Sequence, residues 1–200
     1  MPLTAGSYRE LHWHTADEWA YVLYGKARVT VMNPDGTMFI GDVEVGDLWN
    51  FPAGFPHSIQ DLGPDGTEFL LVFNHGSFSE DGIMLLSEWI AHTPPEVLSK
   101  NTGLDASVFA NAPQAPLYIL PGKVPGSLEQ DRAEIGGEAV ASRHQYTFKM
   151  KAMAPTKSSK DGNVRVVDSR NFPVSKAYCS SAGHRKGGWH ARTSLASQCL

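Results

Sequence analysis

GSYRELHWHTADEWAYVLYG, Gly6 to Gly25, decides the reading of this chain. In an extended strand, side chains two apart share a face, so His12 and His14 point together while Trp13 packs on the other side. After the short polar break Thr15-Ala16-Asp17, the apolar run EWAYVLY ends at Gly25. Glu18 is therefore expected to open a second strand that runs back beside the first and brings a carboxylate to the two imidazoles. Further out, GDLWNFPAGFPHSIQD, Gly46 to Asp61, uses Pro52, Gly54 and Pro56 to shape a turn that delivers His57 at the start of another strand. His12, His14, Glu18 and His57 are the candidate metal ligands. Three imidazoles and a carboxylate suit a divalent transition metal such as manganese, iron, nickel or zinc, and leave open positions in an octahedral site. Affinity alone would favour copper or zinc, so ligand identity does not choose the metal.

Around this stretch the pattern is that of short strands. Glu18 to Tyr24 and Ala27 to Met32 flank Gly25, NPDG at Asn33 to Gly36 reads as a hairpin turn, and further turns at Gly41-Asp42, Gly46-Asp47 and Gly63 to Gly66 lead to the apolar strand Glu68 to Phe73. About six strands of an all-β sandwich or barrel result. The period then changes: residues 84–110 read as short flanking α-helices, with Thr93 as a cap before Pro94 and a further start at Asp105. Leu85, Leu86, Trp89 and Ile90 are read as core or interface residues, and His75 and His92 as structural rather than ligating. Residues 111–160 are rich in Pro, Gly, Ala, Ser and Lys without sustained periodicity and read as a connection between domains.

Composition narrows the function. The 200 residues carry a net charge of −4, with 42% hydrophobic and 19% charged residues, which leaves no basic footprint for nucleic acid. No apolar run reaches the length of a membrane span and MPLTAGSYRE lacks the apolar core of a signal peptide, so neither membrane nor nucleic acid is an expected partner. Cys179 and Cys199 imply no disulfide framework.

The spacing Gly-x5-His-x-His-x3-Glu-x6-Gly followed by Gly-x5-Pro-x-Gly-x2-His resembles both motifs of the cupin superfamily, with Asp61 where that family usually has Asn. More narrowly, RELHWH, EWAYVLYGKARVTV, GDLWNFPAGFPHSIQ, GTEFLLVF, GSFSED and WIAHTP resemble the first half of an oxalate decarboxylase, a two-cupin manganese enzyme, from about residue 4 to about residue 178. The resemblance implies a cupin barrel, the double-stranded β-helix or jelly-roll, with short flanking α-helices and incomplete at its N-terminus. It implies Mn(2+) on the four ligands, dioxygen as co-catalyst, oxalate as substrate and Arg9 as the substrate-binding and catalytic cation. Glu80 would be the acid/base that takes a proton from oxalate and returns one to the carbon, giving formate and carbon dioxide. SEDGI matches the family's lid at Ser79 and Glu80 and departs at Asp81, Gly82 and Ile83. Alternatives are therefore an oxalate oxidase releasing hydrogen peroxide, or a non-catalytic metal-binding cupin remnant. Helices of this kind join subunits in the family, which implies a homo-oligomer in the intact form. Relatives are both secreted and cytoplasmic, so the compartment stays open.

The domain reading is accordingly a first cupin at 1–110, a connection at 111–160 and the start of a second cupin at 161–178. Residues 179–200, CSSAGHRKGGWHARTSLASQCL, contain no evident strand and are read as an aberrant tail. Back-translation of Trp189 to Leu200 in a shifted frame can give Gly-Met-Arg-Glu-Leu-His-Trp-His, the second motif expected there. The expectation is a frame change, with His184 and His190 accidental; nucleotide sequence across codons 178–200 tests it.

Overall fold

In a computed structural model, the described residues are 1–77, 79–113, 115–136, 142–185 and 188–195; the side chains of Glu80, Arg185, Trp189, Ala191 and residues 193–195 lie outside the description. Two antiparallel sheets face each other. One contains β1 (Pro2–Leu3), β8 (Thr67–Phe73), β3 (Glu18–Tyr24), β6 (Leu48–Phe51) and β11 (Thr147–Phe148), in that order. The other runs β10 (Ile119–Leu120), β2 (Tyr8–His14), β7 (His57–Asp61), β4 (Lys26–Met32) and β5 (Met38–Glu44), with β9 (Ile83–Leu85) also paired to β2. This is the all-β, jelly-roll architecture expected of a cupin, with α1 (Leu86–Ala91) and α2 (Pro95–Thr102) flanking it.

The strand period places the core. Ala20 and Val22 on β3, Ala27, Val29 and Val31 on β4, Trp49 and Phe51 on β6, and Ile59 on β7 fill the space between the sheets. Glu18 and His57 share the parity of these residues and open their strands, so both point inward at one end of the sandwich. Gly25 joins β3 to β4 at φ +74°, and a Cβ there would collide with the Gly66 carbonyl and Thr67, so both a left-handed turn and a close backbone approach demand glycine.

Three local expectations are corrected. β3 does not run beside β2: β2 pairs with β7, β9 and β10, whereas β3 pairs with β6 and β8. The Thr15–Asp17 link crosses from one sheet to the other, and Glu18 meets the imidazoles from the facing sheet. Thr93 is not a helix cap, because Pro94 occupies the N-cap of α2 and the Thr93 hydroxyl donates back to the Trp89 carbonyl at 2.6 Å. Beyond Tyr178, where no strand was evident, β14 (Tyr178–Arg185) and β15 (Gly188–Leu195) pair throughout and extend β12 (Lys157–Ser159) and β13 (Gly162–Val167) into a third sheet. Small residues there fit a buried face: Ala182 joins Tyr178, Val167, Phe172, Met150, Trp19 and Leu48 in a second core against the outer side of β3 and β6. Cys179 on β14 is disulfide-bonded.

Residues 111–160, expected as a connection, contribute strands to both sheets of the first unit through β10 and β11. They also form α3 (Leu128–Ile135), whose Ser127 and Gln130 make a reciprocal capping box.

Candidate metal centre

His12 and His57 are register partners on neighbouring strands, His14 lies two residues along, and Glu18 faces them. One ligand atom from each of the four residues lies within 4.8 Å of every other, and all four residues are buried. Backbone geometry settles which atoms these are. The Nδ1 of His12, His14 and His57 meets the carbonyls of Glu10, Ala16 and Phe55 respectively, each at 2.7 Å. A carbonyl can only accept, so each Nδ1 carries a proton, and in the neutral ring it is then Nε2 that presents a lone pair.

The Nε2 of His14 then stands 3.3 Å, and that of His57 3.8 Å, from the same Glu18 oxygen, Oε2. Lone pairs facing a carboxylate repel one another unless a cation lies among them. His57 Nε2 is buried without a hydrogen-bond partner, so it is available to a metal held by this group. The other Glu18 oxygen, Oε1, accepts the Trp49 indole N–H at 2.9 Å, which leaves Oε2 directed at the imidazoles. Phe51 packs on His57 at 4.3 Å between ring centroids and Phe73 on His14 at 5.3 Å, limiting rotation of both rings.

Burial, followed by the nearby Arg9 charge, pushes the His12 pKa down to about 3. Burial, followed by the neighbouring His12 and His14, holds His57 well below the ordinary histidine range. Both rings are neutral and ready to ligate in mild acid.

Arg9 lies three residues before His12, and in a regular strand it would face the opposite side. The register of β2 against β7 shifts between Arg9 and His12, and the Arg9 charge acts on both His12 and His57. Arg9 is buried, donates from Nη1 to the Tyr118 carbonyl at 2.9 Å and stacks 5.1 Å over the Tyr118 ring. Asp61 accepts from the amides of Gly6 and Gly63 and from the Thr67 hydroxyl, a structural post remote from the ligand set. Glu80 opens a short 3-10 turn, Glu80–Gly82, but its side chain is outside the description. His92 bonds its own helix at Glu88 O, and neither it nor His75 joins the ligand group.

The cupin family profile matches residues 2–109. The chain belongs to the cupin family. It is 44% identical over 199 residues to oxalate decarboxylase OxdC of Bacillus subtilis, covering 96% of this chain and 51% of that protein. A probable oxalate decarboxylase of Arthroderma benhamiae is 34% identical, with 94% of this chain and 47% of that protein covered. The solved structure of the Bacillus subtilis oxalate decarboxylase at pH 4.6 superposes with a TM-score of 0.85 and 45% identity over 92% of this cupin and 47% of that chain. Another matching structure of the same enzyme, with TM-score 0.84 and 44% identity, concerns its Mn(II) centres. This cupin spans about half the length of the curated relatives it matches. Among its described residues no helix is long and apolar enough to cross a membrane.

Proposed function

We propose that this site holds manganese through His12, His14, Glu18 and His57 and converts oxalate to formate and carbon dioxide. The observation that carries the reading is the convergence of three Nε2 lone pairs and one carboxylate oxygen in a buried space beside a guanidinium. Manganese would supply a one-electron centre with open positions for a carboxylate, with dioxygen as co-catalyst.

The chain's own residues have separable tasks. Arg9 binds the anionic substrate and stabilises negative charge as it develops, and the Tyr118 carbonyl and ring keep the guanidinium in place. Glu80 takes the carboxyl proton of hydrogen oxalate and, once the carbon–carbon bond has broken and carbon dioxide has left, returns a proton to the remaining carbon. Hydrogen oxalate thus becomes formate plus carbon dioxide with no net oxidant consumed. The aromatic residues Phe51, Phe73 and Trp49 keep the site dry, which strengthens both electrostatic contacts.

The second reading, oxalate oxidase, draws on the departures at Asp81, Gly82 and Ile83. There oxalic acid and dioxygen give two carbon dioxide molecules and hydrogen peroxide, because no proton reaches the carbon. Elemental analysis of purified protein, with a formate and peroxide assay on the same sample, tests both. Near-stoichiometric manganese, lost in His57→Ala, with formate as product is the expected result. Peroxide in place of formate selects the oxidase, and metal-free protein overturns the site.

A further inference from the structure

Asp17 sits between the last imidazole and the carboxylate of the proposed centre, in the link that crosses from β2 to β3. Its contacts tie that link to two other segments. Asp17 Oδ1 accepts the Ala53 amide at 2.7 Å, within the turn that delivers His57. Asp17 Oδ2 accepts the Asn74 carboxamide Nδ2 at 3.0 Å, while the Asp17 amide donates to Asn74 Oδ1 at 2.9 Å. The Asn74 amide adds a bond to the Asp17 carbonyl at 3.3 Å, and Gly54 N donates to the His14 carbonyl at 2.8 Å. Asn74 is the first residue after β8. The chain that leaves there returns at Gly82, whose carbonyl accepts the Thr15 amide at 3.3 Å, and Ile83 then pairs with His14. The segment carrying Glu80 is therefore pinned to the same three-residue link at both ends.

The pin is specific in chemistry as well as place. Both Asp17 oxygens accept, and the Asn74 carboxamide offers one donor and one acceptor in the matching order. Among the described contacts no cation approaches the Asp17 carboxylate, so its role is directional.

We infer that Asp17 and Asn74 are positioning residues that fix the Glu80-bearing segment relative to the ligands, and thereby set how much substrate leaves as formate rather than peroxide. The inference rests on the proposed decarboxylation. Aspartate and asparagine can exchange places with every hydrogen bond kept, because the new carboxamide at position 17 would accept from Ala53 and donate to position 74. Asp17→Asn alone places donor against donor. This gives a test that mere destabilisation would not pass.

Asp17→Ala, Asn74→Ala, Asp17→Asn and the double exchange Asp17→Asn/Asn74→Asp are compared with the parent for manganese content, formate, peroxide and hydrogen exchange at 79–83. The three single variants are expected to retain manganese, lose about tenfold in formate turnover, the scale of a small misplacement, and release a larger share of peroxide. Exchange at 79–83 should accelerate in each, and the double exchange should return all three readouts towards the parent. Unchanged product ratio and exchange in the alanine variants, or no recovery in the double exchange, overturns the pin. If the manganese-loaded parent makes no formate, the decarboxylase reading fails, and the part assigned to product choice fails with it; the exchange data then still decide the pin.

Discussion

Each imidazole of the candidate centre is committed at Nδ1 to a nearby carbonyl, so the proposed site depends on atoms that would not touch a metal. Trp49 holds Glu18 Oε1 at 2.9 Å, and Trp49→Phe would leave that buried oxygen unpaired while preserving most of the ring volume. Manganese affinity should fall roughly 10- to 100-fold, the usual penalty for losing a residue that orients a ligand, as measured by competition with a chelator. Proton linkage gives a second prediction. His12, with its pKa lowered to about 3, stays neutral in the folded protein, whereas the unfolded chain takes up the proton near the ordinary value of 6.5. Stability from this group is therefore complete above about pH 6.5 and is lost as pH falls towards 3, with His57 adding a loss of the same sign. The thermal midpoint of the metal-free protein should drop steadily across that window, and manganese loaded at neutral pH should be retained at pH 5. A midpoint that rises on acidification would contradict the buried, neutral assignment. The convergence of His12, His14 and His57 was legible in the sequence because a period of two and a Pro/Gly turn dictate where these side chains point. Trp49, Tyr118 and the register shift between Arg9 and His12 were not, since each acts through tertiary contacts that no local spacing encodes.

Elements diverge from their sequence signals where they are held by charge rather than by an apolar face. The strands around Gly25 and the Asn33–Gly36 turn follow their patterns closely, because burial of alternate residues fixes register. Helix α3 buries no residue, so periodicity could not reveal where it docks. What fastens it is Arg28, only 4% exposed on β4. Nε and Nη2 grip Asp42 at 2.7 and 3.0 Å, and Nη1 reaches Asp131 of α3 at 2.5 Å. Hydrogen bonds to Asp42 and Asp131 raise the Arg28 pKa, so the guanidinium keeps its charge across the working range. Arg28→Leu should cost on the order of 2 kcal/mol in urea unfolding, less than a fully buried pair because the Asp42 side chain is 36% exposed. Hydrogen exchange should show α3 released first. Equal protection of α3 in parent and variant would mean that Arg132, which donates to the Ile40 carbonyl at 3.1 Å, suffices as its anchor.

At the scale of the molecule there are two cores with different duties. One fills the space between the sheets and supports the candidate ligand residues; the other joins the outer side of β3 and β6 to the third sheet through Trp19, Leu48, Met150, Phe172 and Tyr178. Alternation identified the first. The second was missed beyond Tyr178, because CSSAG carries little hydrophobicity and is buried only when β13 and the barrel wall are already in place. The cores meet along β3, where Ala20 and Val22 face one and Trp19 faces the other, and the Tyr178 hydroxyl also donates to the Asp17 carbonyl at 3.0 Å. Backbone pairing of β3 with β6 and β8 runs on both sides of Glu18 and does not require the third sheet. Phe172→Ala should therefore remove about 3–5 kcal/mol of global stability through a cavity in the second core, while manganese stoichiometry under native conditions stays that of the parent. Urea unfolding and elemental analysis on one preparation make the comparison. Loss of metal in step with the loss of stability, well below the unfolding transition, would show that Glu18 is held by the second core after all, through Trp19 on β3, Leu48 beside Trp49 on β6, or the Tyr178 hydroxyl on Asp17.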